Sequence, residues 1–233
     1  SNNPLLHAIN KTIDFKNIKT GHIDEATVVI LNEADSILKN ILLINQNERT
    51  FSNTVLKLDD IYNTISNIWN IIELISSTHP NERLQLEADR NDLKISEYMI
   101  DLSLDDSLYN ILLNYSNSRE AKDLSDSRKR FLESELRDFK RSGLNLNDSK
   151  RKELRDIQSR LSKLGIEFSN NIDSYEDTLF ITEDMTGGLP EEYKKQRLQS
   201  DGRYAIDLSY PSYDPFVKYA KSDSLRKIIR SKY

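Results

Sequence analysis

The sequence predicts a mainly α protein, an elongated antiparallel bundle of helical hairpins with one small two-stranded β element near 178–208. Three observations predict it. Apolar residues recur three and four apart over long stretches, as a single buried helix face requires. Only 6 Gly and 5 Pro interrupt 233 residues, fewer breaks than sheet-rich folds use. Charged residues make up 30% of the chain against 37% hydrophobic, a balance that suits helices with wide solvated faces.

Taken in order, residues 1–22 read as an extended lead-in anchored by Pro4, Leu5, Leu6 and Phe15. Asp24 is the expected N-cap of a first helix over 24–46, which carries Ala26, Ile30, Ile37, Leu38, Ile41 and Leu42. A second helix over 51–77 places Leu58, Ile61, Tyr62, Ile65, Ile68, Trp69, Ile72 and Ile75 at near-heptad spacing. It must stop at His79-Pro80, because the residue before proline avoids helical geometry. A third helix over 81–102 carries Leu84, Ala88, Tyr98, Met99 and Leu102 on a less clean face. A shorter one over 105–117 carries Leu108, Ile111, Leu112 and Tyr115, capped by Asp105 or Asp106.

Next comes a helix over 119–142. Leu132, Leu136 and Phe139 share its face, cations crowd its C-terminal pole, and Gly143 can end it in the left-handed conformation. Its partner over 147–174 starts at Asn147 or Asp148 and is expected to bury Leu154, Ile157, Leu161, Leu164 and Phe168. At about 177 the texture changes. Thr178–Thr182 and Tyr204–Leu208 read as strands that pair with each other. Between them lie a Gly187-Gly188-Leu189-Pro190 turn, a helix over 191–199 and an Asp201-Gly202 turn. Short helices over 214–221 and 223–232 follow. The domain organisation read from this is a lead-in over 1–22, a helical N-terminal domain over 23–176, and a β-hairpin with short helices over 177–233. Leu225, Ile228, Ile229 and Tyr233 keep a helical rhythm to the last residue without cap or polar tail, so the gene is expected to continue.

The net charge is −5, which argues against a general nucleic-acid binder. It is unevenly spread, since 119–163 carries 14 Lys/Arg against 9 Asp/Glu. That hairpin reads as a solvated pair of helices with mixed-sign charges, or as an electropositive face, although it lacks a base-stacking aromatic platform. The absence of cysteine excludes disulfides, cysteine zinc sites and thiol catalysis. No apolar run approaches the ~20 residues of a membrane helix, and no signal-peptide pattern is visible.

His7, His22 and His79 are too far apart in sequence to share adjacent helical turns. Glu25 and Glu82 each follow a histidine by three, but no H-E-x-x-H exists, so each histidine reads as a surface or capping residue. There is no G-x-S-x-G, Walker A or G-x-G-x-x-G sequence. The acidic pairs Asp59-Asp60, Asp105-Asp106 and Glu183-Asp184 point in different directions and read as caps and solvated charge. The tyrosines near the end (Tyr204, Tyr210, Tyr213, Tyr219) read as interfacial packing or as a peptide-facing or domain-facing surface. Residue by residue, the expected catalytic, cofactor-binding and metal-binding sets are all empty.

Several stretches together resemble the thimet-type zinc oligopeptidases (thimet oligopeptidase, neurolysin, oligopeptidase A, dipeptidyl carboxypeptidase). Arg128–Gly143 is similar to the family's helix ending R-D-F-x-x-x-G, and Leu164, Phe168 and Asn171 to its L-x-x-x-F-x-x-N helix end. Gly187-Gly188-Leu189-Pro190 sits where the family has its G-L-P turn. Tyr204–Tyr213 looks like its strand with a Y-P-x-Y exit, and Leu225-Arg226 resembles the start of its next helix. The resemblance implies an N-terminal wall of a deep peptide channel. The opposite wall would hold H-E-x-x-H, a distal Glu, zinc and an activated water. No family catalytic or zinc residue maps onto this chain, so the resemblance implies zinc in the parent protein and an inactive fragment here. It implies short peptides and a C-terminal catalytic domain as partners. No nucleic-acid or membrane partner is expected, and the expected location is cytoplasmic, with a periplasmic or exported one left open. The alternatives read from the residues are a free-standing helical interaction module using the 119–163 hairpin, and a nucleic-acid binder using the same basic face.

Overall fold

In a computed structural model, which describes residues 3–6, 12–175 and 177–233 apart from the side chain of Asp173, the helical periodicity of the first half of the chain becomes three long helices. They are α1 (His22–Leu43), α2 (Leu56–Thr78) and α3 (Glu82–Ser103). They belong to the first of two compact units, Ser1–Ser169; the second is Asn170–Tyr233. In α2, Leu58, Ile61, Ile65, Ile68, Ile72 and Ile75 are all buried, spaced three and four apart as a heptad seam. Each such side chain contributes roughly 1.5–3 kcal/mol by leaving water. Ala26, Ala34 and Ala88 are fully buried and let the neighbouring helices approach.

The start of α1 departs from expectation. Asp24 is not its cap; the helix begins at His22, two residues earlier, behind Gly21 at φ +92°. The cap comes from another helix. Glu87 on α3 is 1% exposed, and its carboxylate accepts from the N–H groups of Gly21 (2.9 Å), Ile23 and Asp24 (both 3.1 Å). Asp24 instead takes Asn91 Nδ2 at 2.9 Å and Lys94 Nζ at 3.0 Å. Burial pulls the other way, but these bonds hold the Asp24 carboxyl below its usual range. The lead-in is anchored by Pro4 and Leu5, while Phe15 is exposed and Ile18 is buried in its stead.

A π-helical turn, Phe51–Val55, opens α2, closed by a reciprocal box in which Thr50 and Asn53 each accept the other's backbone N–H. His79 leaves the helix at ψ 132°, as the following proline dictates. Asp105 caps α4 (Asp106–Ser116) by accepting from Leu108 N–H at 2.9 Å. The single helix expected over 119–142 is broken into α5 (Arg119–Lys122) and α6 (Asp126–Phe139). The interruption turns Leu124 into the core, and Ser125, a good N-cap type, restarts the helix in extended conformation. A π turn over Lys140–Leu144 ends at Gly143, whose φ of +111° and buried site leave no room for a side chain. A Cβ there would stand 2.4 Å from Leu154 Cδ2. The partner helix α7 (Asp148–Asp173) begins with Asn147 accepting from Lys150 N–H at 3.0 Å.

In the second unit, β1 (Thr178–Ile181) and β2 (Tyr204–Asp207) pair antiparallel, Thr178 with Asp207 and Ile181 with Tyr204. With α8 (Glu191–Arg197), α9 (Tyr210–Tyr219) and α10 (Asp223–Lys232) they enclose Ile181, Leu189, Tyr193, Ile206, Phe216, Ala220 and Ile229. The helix expected from 214 starts at Tyr210, since Pro211 is compatible with a first turn. Pro215 has no N–H to offer the carbonyl four residues back, that of Pro211. The Arg197 guanidinium donates to that oxygen at 2.7 Å. Gly188, at φ +91°, lies against the end of α9, where an added Cβ would stand 2.2 Å from the Tyr219 carbonyl oxygen. Lys221 N–H donates to Gly187 O at 2.8 Å across the same contact.

Two stability outcomes follow from these contacts. Glu87→Ala strands N–H donors at a partly buried helix start, the Ile23 N–H buried among them, and is expected to cost about 2 kcal/mol in urea unfolding, against about 0.5 kcal/mol or less for the exposed Lys94→Met. Equal costs would refute the capping role. Gly188→Ala is expected to lower the melting temperature more than Gly202→Ala. Both positions have positive φ, but at Gly202 an added Cβ meets nothing within 4 Å.

Candidate functional site

The helix α7 reverses the expected pattern of burial. Its apolar residues share a face, yet that face is not the packed one. Ile157 is 50%, Leu161 61%, Leu164 47% and Phe168 67% exposed, and only Leu154 of the expected set is partly buried. At 3.6 residues per turn these four fall within an arc of about 60°, on the side opposite Ser159 and Ser162. The inward side is polar apart from the half-buried Ile166. Ser162 Oγ shares a 2.8 Å hydrogen bond with Ser96 Oγ, and Ser159 Oγ donates to Glu97 at 3.1 Å. Arg155 donates to both Asp101 oxygens, at 2.5 and 3.0 Å. Arg151 bridges Asp106 and Asp148. Periodicity groups side chains by face; it does not choose the neighbour, and α3 presents α7 with Ser96, Glu97 and Asp101 rather than with leucines.

The same pairs answer the charge question. The basic excess of 119–163 is met from outside the hairpin by Asp101, Asp106 and Glu97, the last 3.9 Å from Lys163 Nζ. The Arg128 guanidinium lies 5.0 Å over the Phe51 ring. Much of the charge that suggested a phosphate-binding face is thus spent within the first unit.

The Tyr62 hydroxyl on α2 donates to Glu135 on α6 at 3.1 Å. Burial pushes the Glu135 carboxyl above its usual range, the Asp138 and Asp59 charges add to this, and the Tyr62 bond opposes it. Burial likewise raises Asp92, which accepts from Trp69 Nε1 at 2.5 Å and faces the charge of Asp89. These perturbed carboxyls lie between packed helices, where they join elements together. Glu87, Asp89 and Asn91 on α3 were not anticipated as buried groups. The irregular face of 81–102 was their only trace in the sequence.

The other singled-out residues have local partners. Asp59 accepts from Asn63 at 3.2 Å, and Asp60 from Lys57 at 2.7 Å. Glu183 pairs with Tyr204 and Lys194, and Asp184 with Thr182. His22 Nδ1 accepts from Lys19 N–H and His79 Nδ1 from Asn81 N–H, both at 3.1 Å, while His7 lies outside the described residues. Among the described residues no group of three or more His, Asp or Glu side chains could hold a metal ion. Tyr193 and Tyr204 are core residues of the second unit, Tyr213 stacks on Tyr233 at 4.2 Å, and Tyr210 and Tyr219 are exposed.

Residues 29–151 match the model of the neurolysin/thimet oligopeptidase N-terminal domain, from within α1 to the first turn of α7. The chain belongs to the neurolysin/thimet oligopeptidase family. It is 31% identical to oligopeptidase A of Haemophilus influenzae, over 97% of this chain and 34% of that protein. It is 28% identical to the thimet-like oligopeptidase of Dictyostelium discoideum, over 86% of this chain and 31% of that one. Oligopeptidase A of Escherichia coli is 24% identical over 97% of this chain and 34% of its own length. The chain therefore spans about a third of the length of the curated relatives it matches. Among the described residues no helix is long and apolar enough to cross a membrane.

The Glu135 environment gives a pH dependence with a definite sign. Its folded value is raised, so between the unfolded and folded values the native state holds a proton that the unfolded chain releases. Stability then falls as pH rises through that window. Glu135→Gln keeps an acceptor for Tyr62 and is expected to raise the urea midpoint at neutral pH and to flatten its decline above about pH 4. A parallel profile at lower midpoint would show that the ionised form is favoured in the fold.

Proposed function

We propose that this chain is the N-terminal portion of a longer zinc metallopeptidase that hydrolyses short peptides, and that its helices form one wall of the channel admitting them. The observation that carries the reading is the match of 29–151 to an oligopeptidase N-terminal domain, in a chain about a third as long as relatives named oligopeptidases. The outer face of α7 supports it, because an exposed apolar face of this kind marks a surface made for contact. In this reading residues 177–233 lead into the catalytic domain, and the protein acts in the cytoplasm without nucleic-acid or membrane partners.

The described residues do not fit zinc. The metal needs about three protein ligands converging from His, Cys or carboxylates, and His22 and His79 are each occupied by a local backbone N–H. The metal and its water-activating carboxylate belong, on this reading, to the remaining two thirds of the polypeptide. This chain's contribution is size selection by shape. A free-standing interaction module is the second reading, and the same exposed α7 face on the 119–163 hairpin favours it.

The purified 233-residue chain is expected to leave a panel of quenched-fluorescence peptides intact with or without added zinc, while the full-length protein cleaves them and loses activity to a chelator. Zinc-dependent cleavage by the chain alone would overturn the division of labour. A coding sequence without H-E-x-x-H after Tyr233 would favour the interaction module.

A further inference from the structure

We infer that the outer face of α7 receives an α-helix from the remaining two thirds of the polypeptide, packed in coiled-coil register, an inference that rests on the reading of this chain as part of a longer peptidase. Leu154, Ile157, Leu161, Leu164 and Phe168 follow one another at three, four, three and four residues. That is the a/d repeat of a helix-pairing seam. The exposed part, Ile157 to Phe168, runs about 16 Å along the helix, three turns of knobs that no described residue covers. An extended peptide presents side chains at period two and does not match a seam of period 3.5.

Gly165 is the second, independent observation. It sits in the interior of α7, where glycine is a poor helix former. It has no positive φ to require it, and a Cβ added there meets nothing within 4 Å. Nothing among the described residues explains the glycine. It adjoins Leu161 and Leu164 on one flank of the seam, where a missing side chain lets a second helix pack closer against them. The other flank carries Glu153, Arg160 and Glu167 at successive heptad positions. The incoming helix is therefore expected to oppose them with basic, acidic and basic side chains in turn.

The test places the photo-crosslinker p-benzoylphenylalanine at position 161 or 168 of the full-length protein, with position 152 as a solvated control. Mass spectrometry after irradiation is expected to locate the crosslink within the same polypeptide, in an apolar heptad segment beyond Tyr233. A crosslink to a second copy, to an added peptide, or at no more than the control yield overturns the inference. Gly165→Ala supplies a sign reversal. It is expected to raise the melting temperature of the 233-residue chain, by better helix propensity, and to lower that of the full-length protein by several degrees. The same sign in both overturns the close approach. Peptide hydrolysis by the unaltered full-length protein reports separately on the peptidase reading. An active enzyme with its crosslink elsewhere sinks only the helix seat, and an inactive one with the expected crosslink sinks only the peptidase.

Discussion

The first unit depends on one buried carboxylate. A helix leaves four N–H groups unpaired at its start, and at α1 that start is partly buried against α3. Glu87 meets three of those donors from across the helix interface. A negative group suits the positive pole of a helix, so dipole and hydrogen bonds favour the same placement. Asn91, one turn further along α3, ties its own helix to Asp24 and to the Glu87 carbonyl. The polar cluster thereby sets the height of α1 on α3, and the apolar seam of α2 closes over the pair. Apolar packing supplies most of the stability but tolerates sliding. The carboxylate selects one register.

The relation between α3 and α7 uses the opposite arrangement. α3 spends its apolar residues on α1 and α2 and shows α7 a row of serines and acids. α7 answers with serines and arginines and turns its leucines outward. The pairings Arg155–Asp101 and Arg151–Asp106 fix its position, and Gly143 brings the preceding turn close enough for Leu154 to lie over it. A helix mounted this way presents an apolar stripe on a rigid frame.

Local chemistry was legible where one residue decides the outcome. Pro80 stopped α2, Asp105 and Asn147 capped their helices, and the heptad of isoleucines in α2 was buried as its spacing required. The two short strands paired as their composition suggested. Misreadings came where two elements share a decision. Asp24 looks like a cap in isolation and loses the role to Glu87, 63 residues away. The run 119–142 has an unbroken helical composition, yet burying Leu124 requires a break. The helix expected from 214 starts instead at Tyr210, because Pro211 fits a first turn and Arg197 takes the Pro211 carbonyl that Pro215 leaves without a donor.

By itself the sequence determined which residues share a face, where helices must stop, and, through motifs in order, the family. These are properties of short spans, governed by backbone sterics and by the periods of helix and strand. Only the tertiary structure decided which face meets which neighbour. Burial depends on what the opposite element offers, and for α7 that element is a polar side of α3. Leu132 and Phe139 on α6 are buried as expected, whereas Ile157, Leu161, Leu164 and Phe168 on α7 are left facing outward.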